Sequence, residues 1–207
     1  MIKVLFAGCP EPAAKTLKYL FEHSEENNFK IVGVLTNPPT AKGRHKDLIP
    51  TPVAKVAEEY STEENFIPVF TPEHLNAEAR EQIMPLAADI LVCFAYGHIF
   101  GPKFLSMFKY GGMNLHPSLL PKYRGCTPVP AAILNRDSET AITIQTVSLK
   151  MDEGNILAQE KVSLDGTEIA LKLLDNAAIS GARLICDILL KIENDPSVLI
   201  GIPQSGE

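Results

Sequence analysis

Over its first 116 residues the chain alternates short, almost unbroken apolar runs with stretches in which apolar residues recur every three or four positions. The apolar runs Lys3–Ala7, Lys30–Leu35, Ile67–Phe70, Asp89–Ala95 and Gly112–His116 have the length of strands. Their continuous rather than alternating character is that of strands covered on both faces. The intervening stretches Pro12–Glu22, Pro52–Tyr60, Pro72–Met84 and Pro102–Phe108 predict helices. Thr51-Pro52 and Thr71-Pro72 each supply a capping hydroxyl followed by proline at the first helical position, where its missing N–H costs nothing. Strand and helix in alternation predict an α/β fold, a doubly wound and mostly parallel sheet with a Rossmann-like N-terminal half and right-handed crossovers.

Beyond residue 128 the pattern changes. A helix near Val129–Asn135 precedes two alternating runs, Thr140–Val147 and Asn155–Val162, and these predict an added strand pair turned through Lys150-Met151-Asp152-Glu153-Gly154. A last helix is expected from Thr167 to Ile192. Residues 193–207, with Pro196, Gly201 and Pro203, read as the start of a linker toward a further domain, which leaves residues 1–192 as one domain.

Composition narrows the function classes. The 207 residues include no Trp and only 7% aromatics, so the core is expected to consist mainly of Ile, Leu, Val and Ala. A net charge of -6 offers no general attraction to nucleic acid or to an anionic membrane, so a polyanion has to meet a local basic patch. The N-terminal apolar run is broken by Pro10 and Pro12 too soon for a signal peptide, and no run approaches the ~20 apolar residues of a membrane span. Cys9, Cys93, Cys126 and Cys186 are scattered without the close pairs of zinc or redox sites and read as reduced thiols of a cytoplasmic protein.

Open α/β sheets bind ligands at the carboxyl ends of their strands. Here those ends carry Gly8-Cys9-Pro10, Thr36-Asn37-Pro38-Pro39, Ala95-Tyr96-Gly97 and Asn114-Leu115-His116. The first lacks the second and third glycines of a dinucleotide fingerprint, which argues against NAD or FAD. The last places Asn114 and His116 two apart on a strand, hence on one face, where an amide donor beside an imidazole suits acyl transfer: a carbonyl oxygen gains charge while a proton moves nearby. Taken singly, Asn114 is equally a strand-closing turn residue, His116 a satisfied core histidine, and Asp152 a routine turn aspartate. His23, His45, His74 and His98 carry no such context and read as structural.

The run Asn114-Leu115-His116-Pro117-Ser118-Leu119-Leu120-Pro121, with Val4-Leu5-Phe6-Ala7-Gly8, Lys42-Gly43-Arg44, Ala95-Tyr96-Gly97 and Met151-Asp152-Glu153-Gly154 in order around it, resembles the 10-formyltetrahydrofolate-dependent formyltransferases, and most nearly the N-terminal catalytic domain of those acting on methionyl-tRNA. The resemblance covers nearly the whole chain. It departs at Pro117, where the family commonly has Gly, at Tyr123, where it commonly has Trp, and at Glu153 and Asn155, where Thr and Asp are frequent. It implies formyl transfer from 10-formyltetrahydrofolate, as co-substrate, to the amino group of initiator methionyl-tRNA, with Asn114, His116 and Asp152 catalytic and no metal. Folate is then expected against Phe94, Ala95, Tyr96, Gly97, Ser118, Leu119, Leu120 and Pro121. The basic loop with Lys42, Arg44 and Lys46, extended by Arg124 and by Lys122, is expected to meet the tRNA. The enzyme is expected to act as a monomer, away from membranes. A small amine acceptor (glycinamide ribonucleotide or an amino sugar nucleotide), a hydrolase releasing formate from the same folate, and a non-catalytic folate- or nucleotide-binding module are the alternatives.

Overall fold

The computed structural model describes residues 1–205; the final two residues of the expected linker lie outside the described residues. Strands β1 (Ile2–Gly8), β2 (Phe29–Leu35), β5 (Val69–Phe70), β6 (Ile90–Phe94) and β7 (Gly112–His116) run parallel, and β8 (Glu139–Thr146) and β9 (Ile156–Ser163) continue the sheet antiparallel. The seven strands lie in the order β5-β2-β1-β6-β7-β8-β9, so strand order reverses between β1 and β6. The added strand pair is therefore present and joins the parallel sheet through β7.

Side-chain alternation sorts the sheet into two buried faces. Val4, Phe6, Ile90, Val92, Met113, Leu115, Ile142 and Ile144 pack on one side with Ala13, Leu17 and Leu20 of α1 (Glu11–Glu22), Val53 and Ala57 of α2 (Pro52–Tyr60), and Ala178, Ala182 and Ile185 of α6 (Ala170–Ile192). Leu5, Ala7, Leu35, Leu91 and Cys93 face the other side, covered by Ile83 of α3 (Ala77–Ile83), Phe104 of α4 (Pro102–Leu105), Phe100 and Phe108. No helix among the described residues is long and apolar enough to cross a membrane.

Three elements differ from their sequence patterns. Thr51 caps α2 through its hydroxyl, which accepts from Ala54 N at 3.1 Å, but Thr71-Pro72 starts no helix. The helix begins at Ala77 instead, because Asn76 caps it by accepting from Ala79 N at 3.0 Å, while Leu75 turns inward onto the core. Within the basic loop, β3 (Thr40–Lys42) and β4 (Asp47–Ile49) pair as a small antiparallel hairpin. Residues 193–205 are folded onto the domain: Pro196–Leu199 form a 3₁₀ turn, and Ile202 exchanges both backbone hydrogen bonds with Ile156, at 2.8 and 2.9 Å.

Candidate active site

The sheet carries its polar chemistry on one stripe. On β7, Met113 and Leu115 enter the core against α6, so Asn114 and His116 face the opposite side. Antiparallel β8 sets Gln145 opposite Asn114 and Thr143 opposite His116, again alternating with core Ile142 and Ile144. On β9, Gln159 continues the row, donating to Thr143 Oγ1 at 2.9 Å. The α4 side of the sheet is covered only as far as Cys93, and the stripe begins where that apolar cover ends.

Asp152 reaches this stripe from the β8–β9 turn. Val147 N bonds Gly112 O at 2.8 Å, so the turn leaves the sheet at the amino end of β7 and folds back over the polar face. At Gly154 this return passes so close to the strand that a Cβ would lie 1.7 Å from Thr146 O, and only glycine fits. The Asp152 carboxylate then accepts from Gln145 Nε2 at 2.9 Å through Oδ1 and from Gly125 N at 2.8 Å through Oδ2. Its Oδ1 also stands 3.5 Å from His116 Nδ1.

The other imidazole nitrogen fixes the proton inventory. His116 Nε2 lies 2.8 Å from Tyr123 O, and a carbonyl only accepts, so Nε2 carries hydrogen and Nδ1, facing Asp152, is the position that gains or loses a proton. Tyr123 is held for this contact. Its hydroxyl donates to Asp137 Oδ2 at 2.8 Å and accepts from Asn135 Nδ2 at 2.8 Å, while its backbone has φ 58°. The hydrogen bonds from Lys122 and Tyr123 hold the Asp137 carboxyl below the usual carboxylate range.

Asn114 is oriented by its neighbour across the parallel ladder. Burial pushes the Cys93 thiol up, with the nearby Asp152 charge adding to the effect, so the thiol stays protonated and donates to Asn114 Oδ1 at 3.2 Å. With its oxygen engaged, the amide presents Nδ2 to the cleft, and no hydrogen bond among the described residues uses that group. Asn114, His116 and Asp152 are thus brought together, the first two on the shared strand face that their spacing predicts and the third where the resemblance implied it.

The other expected residues divide. Ala95 (φ 52°) and Gly97 (φ 85°) sit in exposed, left-handed backbone at the end of β6, beside the strand-order reversal. Between them Tyr96 is buried, stacked on Phe100, and its hydroxyl has no partner among the described residues; burial pushes it up to about 12. Phe94, Ser118 and Leu120 are buried in protein, with Ser118 Oγ donating to Lys122 O at 2.6 Å, while Leu119 and Pro121 are half-buried. Lys42, Arg44 and Lys46 are exposed on the hairpin. Lys122 pairs with Asp137 at 2.9 Å, and Arg124 is turned onto Gln204. His98, read as structural, bonds Asn37 Oδ1 at 2.6 Å through Nε2 and ties the end of β2 to the end of β6. A cavity of about 380 Å³ lined by Pro117, Ile142, Leu173 and Ala177 lies against α6, on the apolar side of the sheet, and takes no titratable side chain from the described residues.

Cys93, Gln145 and Gln204 escaped the sequence reading. Gln145 had a usable signal, since it alternates with the apolar Ile142 and Ile144, but its partner depends on the register of β7 and β8. Gln204 had none.

Comparison with known proteins gives a consistent picture. A family profile described as formyl transferase matches residues 2–187. Methionyl-tRNA formyltransferase of Treponema pallidum (strain Nichols) is 44% identical over 93% of this chain and 60% of its own length. That of Thermotoga maritima is 38% identical over 93% of this chain and 59% of its own. The chain therefore spans about 60% of the length of these relatives. Among solved structures, phosphoribosylglycinamide formyltransferase from Bacillus halodurans superposes with a TM-score of 0.73 at 23% identity, covering 94% of this chain and 96% of that one. An N-formyltransferase from Helicobacter canadensis, in complex with folinic acid and dTDP-3-aminofucose, superposes with a TM-score of 0.68 at 23% identity over 100% of this chain and 68% of that one. At these identities the structural likeness carries the fold.

Proposed function

The chain belongs to the formyl transferase family, and on that premise we propose that it transfers a formyl group from 10-formyltetrahydrofolate to the amino group of initiator methionyl-tRNA. The observation that carries the reading is the convergence of a free amide N–H pair, an imidazole with one committed nitrogen, and a carboxylate on a single stripe of the sheet. The identity to methionyl-tRNA formyltransferases supports the acceptor.

In this reading Asn114 Nδ2 donates to the formyl oxygen, which gains negative charge as the acceptor amine attacks the carbonyl carbon. Cys93 holds that amide in the productive sense. His116 Nδ1 takes the proton shed by the attacking amine and returns it toward N10 of the departing folate, while Asp152 Oδ1 steadies the imidazolium between the two events. Neither a metal nor a covalent enzyme intermediate enters this scheme. The left-handed backbone of Ala95 and Gly97 offers the peptide groups against which a flat pterin pairs, and the orphaned Tyr96 hydroxyl supports a polar ligand at that end of the sheet. Lys42, Arg44 and Lys46 approach the tRNA phosphates from the β3–β4 hairpin. A domain following residues 193–207, a monomeric state and a cytoplasmic setting belong to the same proposal, the last supported by four unpaired cysteines among the described residues.

The test is Asn114→Ala in the full-length protein. Loss of one oxyanion donor lowers kcat by ~10²–10³, and the affinity for a folate analogue is expected to stay close to wild type. Unchanged turnover refutes the role of Asn114. Faster formylation of glycinamide ribonucleotide or an amino sugar nucleotide than of charged initiator tRNA refutes the acceptor, and formate release without an amine refutes transfer.

A further inference from the structure

We propose that Gln204 is a positioning residue that holds the Asp152 half of the site, so that the segment following α6 completes the catalytic arrangement. The inference rests on the reading of Asp152 above.

The segment is built to deliver this side chain. Asp195 caps the 3₁₀ turn by accepting from Ser197 N at 3.2 Å, Gly201 turns the chain with φ 67°, and Ile202 pairs with Ile156. Asn155 Nδ2 ties the same stretch down by donating to Ile200 O at 2.8 Å. Two residues later Gln204 is half-buried between the Asp152 turn and the loop after Tyr123.

There its carboxamide uses all four of its hydrogen-bonding positions. Nε2 donates to Asp152 O and to Gly154 O, both at 2.8 Å, and Oε1 accepts from Arg124 Nε at 3.1 Å and Nη2 at 2.9 Å. Full satisfaction of a side-chain amide by two separate loops marks a built contact. Gly125, next to Arg124, is the residue whose N–H binds Asp152 Oδ2, so Gln204 grips both ends of that bond.

Two consequences follow for the chemistry. Asp152 sits at φ 55°, a left-handed conformation that a side-chain-bearing residue adopts at a cost, and the two bonds from Gln204, to its own carbonyl and to that of Gly154, keep it there. Without them the carboxylate drifts from His116 Nδ1, which it faces at 3.5 Å. The neutral amide also fixes Arg124 without cancelling its charge, leaving the cation's other N–H groups for an anionic acceptor.

The experiment compares Gln204→Ala, Gln204→Glu and Ile202→Pro in the full-length protein. Gln204→Ala is expected to lower kcat about 10-fold with KM for the formyl donor within about 2-fold, as expected for loss of two modest hydrogen bonds felt in the transition state. Gln204→Glu keeps a partner for Arg124 but sets a carboxylate oxygen against the two carbonyls in place of the donated bonds, so it should be at least as slow as Gln204→Ala, and Ile202→Pro, which deletes one N–H of the bridge, should move in the same direction. Hydrogen exchange at the Gly125 amide should accelerate at least about 10-fold in Gln204→Ala while β7 amides keep their protection. Wild-type kcat in Gln204→Ala or in Gln204→Glu, or unchanged exchange at Gly125, overturns the proposal. Asp152→Ala is the separate control: if that variant keeps full activity, the role of Asp152 fails, whereas the Gly125 exchange rate still tests the grip of Gln204.

Discussion

Replacing Asp152 by Asn separates the structural from the chemical work of one carboxylate. Its two oxygens each accept from a donor held in place, Gly125 N at 2.8 Å, a backbone group, and Gln145 Nε2 at 2.9 Å, whose amide is kept in that sense by Gln204 Nε2 donating to its Oε1 at 3.4 Å. An asparagine offers one oxygen and one NH₂ group, so whichever way it turns, the NH₂ meets a donor. The change removes a hydrogen bond to a charged acceptor, ~1.5–3 kcal/mol, and leaves a donor unpaired at ~1–3 kcal/mol. Asp152 is half-buried, so water relieves part of this, and the expected loss of folding stability is about 3 kcal/mol. For a domain of this size that lowers the unfolding midpoint by roughly 6–12 °C. Turnover should fall ~10²–10⁴-fold, because the imidazole loses the charge opposite Nδ1.

A second substitution tells the two effects apart. In the Asp152→Asn background, Gln145→Glu restores an acceptor for the asparagine NH₂ while Gly125 N keeps the amide oxygen. The double variant should recover about 1.5 kcal/mol of stability, a coupling that additive single effects do not give, yet remain slow because His116 Nδ1 still faces an amide. Calorimetry and single-turnover formylation read the two quantities independently. An Asp152→Asn protein that melts within about 1 °C of wild type refutes the claim that these two donors share the carboxylate, and one with wild-type turnover refutes its pairing with His116.

Other outcomes follow from the same coordinates. Exposed Cys126 should react first with a thiol reagent at pH 8, whereas Cys93, and Cys186 with its thiol pushed up to about 12 by burial, should react only on unfolding; rapid labelling of Cys93 in native protein would show that it cannot orient Asn114. Replacing Lys42, Arg44 and Lys46 together by Ala should reduce the salt dependence of tRNA binding by ~2 in log–log slope while leaving folate-analogue binding unchanged, as titrations at several salt concentrations will report. The lowered pKa of Asp137 gives stability that is fully present above the ordinary carboxylate value of ~3.9 and is lost as pH falls through the folded-state value. The stability difference between wild type and Asp137→Asn should therefore shrink on acidification below about pH 4, and a difference that grows there contradicts the assigned bonds.

The parts of the fold that were legible in sequence are those in which burial dictates composition. β1 and β6 are covered on both faces, so each reads as a continuous apolar run, whereas β7 declares itself by polar Asn114 and His116 alternating with core Met113 and Leu115. The β3–β4 hairpin was invisible because its residues are almost wholly exposed and nothing apolar marks its period. At Thr71-Pro72 the local start signal is genuine chemistry, but Leu75 gains more by packing on the core, and Asn76 supplies a second cap five residues later. The same division runs through the site. Asn114 and His116 declare a shared face by spacing alone, whereas Asp152 was singled out by resemblance. Gln145 and Gln204 depend on register and on a long return of the chain, neither of which local sequence encodes.

That division has a mechanical counterpart. Asn114 and His116 belong to β7, hydrogen-bonded to β6 on one side and β8 on the other, so their placement inherits the stiffness of the central sheet. Asp152 inherits none, because it stands in the β8–β9 turn, outside the backbone ladder of either strand. Its position is set by Gly125 and Gln145 at the carboxylate and by Gln204 at the flanking carbonyls, each a single hydrogen bond of modest net worth. A pocket assembled from one rigid and one suspended half should respond unequally to perturbation. Changes to the core face of β7 act through folding stability, since they disturb the core that α1 and α6 share with Met113 and Leu115. Loss of the Gln204 bonds acts mainly through turnover, since a displacement too small to unfold the domain still moves the carboxylate away from Nδ1, and proton transfer is steeply sensitive to that distance.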